Sequence, residues 1–481
     1  MVQPSENAST TIQKLAPEVL TEIFLRCVAI SSDEYSNLCQ LRDPSQAPLL
    51  LGRVCSRWRM VSVSSPDLWS NLTIEDHFSS QENIKKDLVA ANLWISRSGS
   101  RPLSIRINFG WTFGTEEFPQ LLQLVASQSW RWKHIDVLIP LEFHHMIFAP
   151  FQTGCLPRLE NFSCATLNDP KPEHVCSLTV SSAPQLQVLR LVGGLGPHID
   201  FSGNINHLRT IRITIERDPG MPGILSLRDF LTCLTHCPLL EDLAFPIAEI
   251  STAHLQDIPS VITLSHLLSL SLVFPSGNDV GYLFEKLFLP ALIRLHLSME
   301  HHDDHYVDWR YLTSMLAHSR PHLQDLRLDF PMAEATLIES LSYIPSLTSL
   351  SLDSVECTDA VLASLTIDNS NPSKGLCPNL ETIDFGSTYS TLNFPRHAMI
   401  PMILSRRRSL ASTGLTNRNA LENVRCGALT FGSILFDPDI VKCVDEGLKI
   451  EYGHDEDEDS NSNSDENDLS DDYDEDDSSD D

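Results

Sequence analysis

Long apolar runs are missing from this sequence of 481 residues. No segment approaches the ~20 consecutive apolar residues that a membrane-spanning helix needs. Residues 1–14 are polar and lack the charged-then-apolar pattern of a secretion signal. We therefore expect no membrane partner, a disordered N-terminus over 1–13, and a protein of the cytoplasm, the nucleus or both, where cysteines stay reduced.

Basic residues are also scarce. The chain has 34 Lys and Arg against 64 Asp and Glu, a formal net charge of −30. Sixteen of the acidic residues lie in 455–481, so the remainder carries −14. A segment so acidic and so poor in apolar residues predicts a disordered tail over 453–481, which keeps the protein soluble or binds a basic partner. The acidic balance argues against nucleic acid as a partner, since phosphate binding needs Lys and Arg.

Residue patterns typical of enzymes or metal sites are missing as well. Cys233 and Cys237 are four residues apart and do not form a Cys-x-x-Cys pair. The run His301–His305 is too crowded for its side chains to converge on one ion, which favours a solvated loop. Arg406–Arg408 is interpreted as the surface end of a helix rather than an import signal. No nucleophile lies in a catalytic context, so we expect no catalytic residue, no metal and no cofactor.

What the sequence does contain begins with two helical blocks. In 15–28 the apolar residues Leu15, Val19, Ile23 and Val28 recur at three-to-five-residue steps, which predicts an amphipathic helix. Pro17 and Glu18 are residue types that favour a helix start.

The second block, 49–69, follows a polar insertion at 31–46. Leu50, Val54, Trp58 and Val61 are spaced to line one face of a single helix. The pair Ser65-Pro66 predicts the end of that helix, because proline cannot continue it.

These blocks resemble an F-box. The resemblance lies in Leu-Ala-Pro-Glu-Val-Leu at 15–20, Ile-Phe at 23–24, the Val-Cys and Trp-Arg pairs of the second block, and Pro-Asp-Leu-Trp at 66–69. It implies a small helical domain over 14–70 that docks on the Skp-type adaptor of a cullin–RING ubiquitin ligase. The adaptor-binding residues that it implies are Leu15, Pro17, Glu18, Val19, Leu20, Ile23, Phe24, Val54, Trp58, Leu68 and Trp69.

A repeat, Pro-x-Leu-x-x-Leu-x-Leu, follows the helical blocks. Clear copies start at Pro157, Pro184, Pro238, Pro290, Pro321, Pro345 and Pro378, and two without the proline start at Asn206 and Ser265. Twelve copies, including weaker ones from Trp69 onward, succeed each other at 22 to 33 residues. This period is close to the ~20 to 29 residues of a leucine-rich repeat.

Amphipathic helical stretches lie between the copies, for example around Leu227 and Leu312. Alternating strands and helices predict an α/β fold, in which a leucine-rich-repeat solenoid over 71–452 has a curved parallel sheet with helices on its convex side. The helical blocks would cap one end, and a short helix and strand after Asp437-Pro438 the other. The whole resembles F-box proteins with leucine-rich repeats of a fungal type.

Strand alternation places the residues between the repeat leucines on the solvent face of the sheet. Arginines recur at these positions in an otherwise acidic chain. Their closeness suggests an anionic partner, for example an acidic or phosphorylated segment. The alternative is a solvated face whose arginines are balanced by Asp242, Asp325, Asp329 and Asp353. The predicted substrate-binding residues are Arg190, Arg212, Arg294, His296 and Arg327.

The sequence therefore predicts a non-catalytic substrate-recognition subunit of a Skp–cullin–F-box ubiquitin ligase. Its repeats would bind a protein substrate that the sequence does not identify. The alternative is a leucine-rich-repeat binding scaffold without a ligase role.

Overall fold

The computed structural model describes residues 15–28, 40–75, 81–109, 116–166, 177–193, 198–214, 225–247, 260–275, 281–300, 309–353, 355, 357–368, 375–386, 396–412 and 420–452. The predicted disordered termini, most of the insertion at 31–46 and the run His301–His305 lie outside these residues. The chain divides into two compact units, Met1–Leu347 and Thr348–Asp481.

The first unit begins with the helical segment and continues as alternating strands and helices. Its helices are α1 (Pro17–Val28), α2 (Leu51–Val54), α3 (Ser56–Ser64), α4 (Gln81–Arg97), α5 (Glu117–Ala126), α6 (His144–Thr153), α7 (Leu227–His236), α8 (Gly281–Phe284), α9 (Tyr311–Ser319) and α10 (Glu334–Ser342). Short 3-10 helices cover Pro66–Trp69, Ser129–Arg131, Leu141–Phe143 and Val180–Ser182.

The strands of the first unit are β1 (Asn71–Glu75), β2 (Leu103–Asn108), β3 (Trp132–Leu138), β4 (Asn161–Ala165), β5 (Ser177–Thr179), β6 (Val188–Val192), β7 (His198–Asp200), β8 (Thr210–Thr214), β9 (Asp242–Pro246), β10 (Ile262–Thr263), β11 (Ser269–Pro275), β12 (Leu287–Phe288), β13 (Arg294–Glu300) and β14 (Asp325–Asp329). Ten of them form one sheet in the order β1-β2-β3-β4-β6-β8-β9-β11-β13-β14. The pairs β5-β7 and β10-β12 form two small separate sheets, which the repeat pattern did not predict.

The second unit repeats the same alternation over a shorter length. Its elements are β15 (Ser349–Asp353), α11 (Asp359–Leu365), β16 (Thr382–Asp384), α12 (Arg396–Ser412), β17 (Asn423–Cys426), α13 (Ala428–Ile434), α14 (Pro438–Asp445) and β18 (Lys449–Tyr452). Adjacent strands from β15 to β18 pair in parallel. The expected last helix and strand are α14 and β18, and the Asp437 side chain accepts a hydrogen bond from the Asp439 amide at the start of α14.

The repeat proline has a structural reason in both units. In most copies the leucine amide of Pro-x-Leu donates to the carbonyl of the residue before the proline, as Leu186 does to Ala183 (3.1 Å) in the first unit and Leu380 to Cys377 (3.3 Å) in the second. Proline at the second position of such a turn fixes φ near the value the turn requires. The leucine is then fully buried and the strand begins two residues later.

The strands pair in parallel in the register that the repeat predicts. Arg190 of β6 is opposite Arg212 of β8, and His296 of β13 is opposite Arg327 of β14. The leucines and isoleucines on either side of these residues are buried and, with the buried residues of the helices, form the core. The fold is therefore mixed α/β with a long parallel sheet, consistent with a leucine-rich-repeat solenoid.

The single helix predicted for the second block is wrong. Cys55 has an extended backbone (φ −157°, ψ 170°) and separates α2 from α3. Its sulfur accepts a hydrogen bond from the Trp58 amide (3.5 Å), so Cys55 acts as the N-cap of α3. As a result Val54 is exposed while Val61 is buried, and the two do not share one face.

The surface position predicted for Arg406 is also wrong. Arg406 is buried in α12 and donates hydrogen bonds to the carbonyls of Leu365 (2.8 Å), Cys377 (2.9 Å) and Leu376 (2.8 Å). These three hydrogen bonds use the N–H donors of the guanidinium and explain why it can be buried inside this unit.

Candidate functional site

The helices of the N-terminal segment, α1 to α3, pack through a small aromatic contact. The rings of Phe24 and Trp58 lie 4.9 Å apart. The Arg57 guanidinium donates to the Leu15 carbonyl, and the Thr21 hydroxyl lies 3.0 Å from the Ser65 hydroxyl. These contacts hold α1 against α3.

Trp69 joins the helical segment to the repeats. Its indole Nε1 donates to the Ser62 carbonyl (2.8 Å), and its ring lies edge-on to Trp94 of α4 at 5.0 Å. The Arg97 guanidinium lies 4.4 Å above the Trp69 ring, within the range of a cation–π contact. The segment therefore shares a core with the first repeat.

The residues implied to bind an adaptor fall into three groups in the structure. Fully buried are Leu20, Phe24, Leu68 and Trp69; partly buried are Leu15, Ile23 and Trp58; exposed are Pro17, Glu18, Val19 and Val54. A partner cannot touch the first group without opening the segment. Their role in this structure is to pack the helices.

Other apolar side chains of the segment remain at the surface. The exposed set, which we call the apolar surface, is Val19 (46% exposed), Leu50 (45%), Val54 (56%), Met60 (66%) and Val63 (39%). Sequence reasoning did not select Leu50, Met60 or Val63 for adaptor binding. The break at Cys55 places Leu50 before α2 and Met60 and Val63 on the separate helix α3, and no sequence pattern indicated that break. Several exposed apolar residues in one short segment are typical of an interaction site.

A groove of about 530 Å³ lies on the solvent face of the sheet in the first unit, across β6 to β14. It brings together all five residues predicted to bind substrate: Arg190, Arg212, Arg294, His296 and Arg327. Its lining also includes Asp242 and Asp325 and the small residues Ala244, Ser269 and Ser271. Four guanidinium groups against two carboxylates leave the lining positive in a chain that is strongly acidic.

Arg212 and Arg327 contact carboxylates that also line the groove. The Arg212 guanidinium contacts Asp242 Oδ2 with Nε at 2.7 Å and Nη2 at 2.5 Å. Arg327 Nε lies 3.6 Å from Asp325 Oδ1, an atom that is buried and accepts no hydrogen bond within the described part of the chain. The first pair is well formed and fixes its arginine, while the second is a looser contact.

His296 lies on the floor of the groove and adds no positive charge at neutral pH. Its Nδ1 is 3.3 Å from the Ser271 hydroxyl. Burial lowers the pKa of His296 and the Arg327 guanidinium lowers it further, against the smaller opposing effects of Asp329 and Asp325. The imidazole is therefore neutral, and the arginines supply the charge of the groove.

The remaining candidates carry no site in the described residues. Burial raises the pKa of the Cys237 thiol to about 12, so this sulfur stays protonated. No cluster of His, Cys, Asp or Glu able to hold a metal ion occurs within the described ranges. In the same residues, no helix combines the length and apolar character needed to cross a membrane.

Comparisons with known proteins add little to this geometry. No protein-family model matches the sequence, and no curated protein matches it significantly. Among solved structures, a chain from the crystal structure of the Rad7 and Elc1 complex in yeast is similar, with a TM-score of 0.40 and 15% sequence identity. The match covers 79% of this chain and 92% of that chain. A TM-score this low does not by itself relate the functions of two chains.

Proposed function

We propose that the protein is a non-catalytic substrate-recognition subunit of a Skp–cullin–F-box ubiquitin ligase. The helical segment binds the Skp-type adaptor, and the solvent face of the repeat sheet binds a protein substrate. The subunit contributes proximity and orientation, since it holds the substrate near a ubiquitin-conjugating enzyme without taking part in bond making.

The apolar surface of Val19, Leu50, Val54, Met60 and Val63 is the observation that carries this proposal. The helices that resemble an F-box are packed and joined to the repeats, yet five of their apolar side chains face solvent. Leaving them exposed costs free energy on the order of 25 cal/mol per Å² of apolar area, which a bound partner would recover. Within our proposal the adaptor face is therefore this surface together with Pro17 and Glu18, while Leu20, Phe24, Leu68 and Trp69 support it from inside.

The experiment is affinity capture with the tagged full chain, comparing the wild type with a variant that has two aspartate substitutions in the apolar surface. Because Val54 and Met60 are exposed, Val54→Asp with Met60→Asp leaves the core intact, and we expect at least about tenfold less Skp-type adaptor in the captured material. Val89→Asp is the matched control, because Val89 is also exposed (67%) but lies on α4, outside the helical segment. We expect this control to retain the adaptor.

Two outcomes would contradict the proposal. If the double variant keeps the adaptor, the apolar surface is not the docking face. If the wild-type chain itself captures no adaptor, the alternative of a leucine-rich-repeat binding scaffold without a ligase role is correct. Thermal unfolding of each variant checks that lost capture is not lost folding.

A further inference from the structure

The arginines of the groove form two separate clusters. Arg190 and Arg212 are directly opposite each other on the neighbouring strands β6 and β8. Arg294 and Arg327 lie on the neighbouring strands β13 and β14. We call these the first and second clusters.

Each cluster contains one carboxylate. Asp242 pairs with Arg212 in the first cluster, and Asp325 contacts Arg327 in the second. Among the residues that line the groove, two guanidinium groups and one carboxylate give each cluster one unit of excess positive charge. One carboxylate from a ligand would balance each cluster, whereas a phosphate group, with a charge of about −1.5 to −2, would exceed it.

Small side chains line the region between the clusters. They are Ala244 of β9 and Ser269 and Ser271 of β11, and the one charged residue on these two strands in the groove lining, Asp242, pairs with Arg212 of the first cluster. Side chains this small leave room for a polypeptide backbone to cross the strands. The centres of the clusters are separated by four strand spacings, about 19 Å at ~4.8 Å each.

We propose that the groove binds an extended protein segment carrying two carboxylate side chains about six residues apart. Six residues of extended chain span about 20 Å, and an even spacing points both side chains to the same face. The two oxygens of each carboxylate would accept two parallel N–H hydrogen bonds from one arginine guanidinium. The segment would belong to the substrate, and this assignment rests on the proposed function. Binding of the segment to the groove does not require the adaptor.

The probe is a fluorescent peptide of about ten residues of Ser and Gly with two glutamates about six residues apart. Binding to the full chain is followed by fluorescence anisotropy at low salt. We expect about tenfold weaker binding when the glutamates are replaced by glutamine or placed side by side. Raising NaCl from about 50 to about 300 mM should also weaken binding, because salt screens the arginines.

The protein variant is Arg190→Ser with Arg294→Ser. Serine is compatible with both positions, because Ser163 and Ser269 occupy the same register on the neighbouring strands β4 and β11. We expect the double variant to bind the probe at least about tenfold more weakly. Arg106→Ser is the matched control: Arg106 is in the same repeat position on β2 and pairs with Asp136 (3.2 Å), but it lies outside the groove. Its affinity should change less than about twofold.

Three results would overturn the inference. These are equal binding of the glutamine peptide, an Arg106→Ser variant as weak as the double variant, and a doubly phosphorylated peptide that binds more than about tenfold tighter than the glutamate peptide. The last would show that the groove is built for phosphate. Adaptor capture by the Arg190→Ser, Arg294→Ser variant separates the two proposals, since it should match the wild type whether or not the peptide binds.

Discussion

The helical segment and the repeat sheet, both in the first unit, expose opposite kinds of surface. The segment leaves apolar side chains such as Val54 and Met60 at the surface, whereas the sheet presents arginines, serines and aspartates in the groove. In the sheet, strand alternation puts the leucines inside and the polar residues outside. In the segment, three short helices have too little interior for all their apolar residues.

The two kinds of surface differ in how selectively they bind a partner. An apolar surface recovers free energy from almost any complementary apolar partner, and it suits a partner that is always the same. Paired charges at fixed positions discriminate between ligands, because a wrong spacing leaves a charge uncompensated. In our proposal the first surface therefore binds a constant adaptor and the second a particular substrate.

The largest effect we expect is a loss of stability, and it tests whether α1 of the helical segment has one buried and one exposed face. Phe24→Ala removes a fully buried ring that packs on Trp58, and should cost about 3–5 kcal/mol. Val19→Ala, on the exposed side of the same helix, should cost about 0.5 kcal/mol or less. Hydrogen exchange of the α1 amides measures both, and equal effects would mean that α1 has no distinct inner face.

A smaller effect, on the pH dependence of stability, tests whether the repeats bury a polar side chain as well as their leucines. His144 on α6 is buried, and its Nε2 donates to the Ile139 carbonyl (3.1 Å). Burial lowers the pKa of His144 from 6.5 to about 4. Between these values the unfolded chain binds a proton that the folded chain does not, so stability should rise by up to about 3 kcal/mol from pH 4 to pH 6.5 and then level off.

Chemical denaturation across this pH range measures the effect. His144→Gln keeps an N–H donor but cannot titrate, so its stability should change less with pH than that of the wild type. His145→Gln is the control, because His145 is exposed and is the smallest of the influences on the pKa of His144; it should keep nearly the wild-type profile. Identical profiles for the wild type and His144→Gln would contradict a buried neutral imidazole.

The repeat sheet could be predicted from the sequence to the residue, and the helical segment could not. A strand has a period of two, so one leucine pattern fixes which residues face solvent, and Arg190, Arg212 and His296 were placed correctly. The blocks at 15–28 and 49–69 have apolar residues around most of each helix, so spacing did not separate buried Phe24 from exposed Val19. The buried positions of Arg406 and His144 depend on hydrogen bonds to backbone carbonyls, which the pattern of apolar residues does not reveal.

The smallest effect concerns the groove itself. If its charges act on one another, as the two-cluster arrangement requires, then removing one arginine should change the titration of the nearby histidine. Arg327→Ser should raise the pKa of His296, because a like charge is lost, while burial still holds the pKa below its ordinary value. An NMR titration of the imidazole measures this, with Arg106→Ser as the remote control. An unchanged pKa in Arg327→Ser would mean that solvent screens the groove, and a screened groove could not select a ligand by the spacing of its charges.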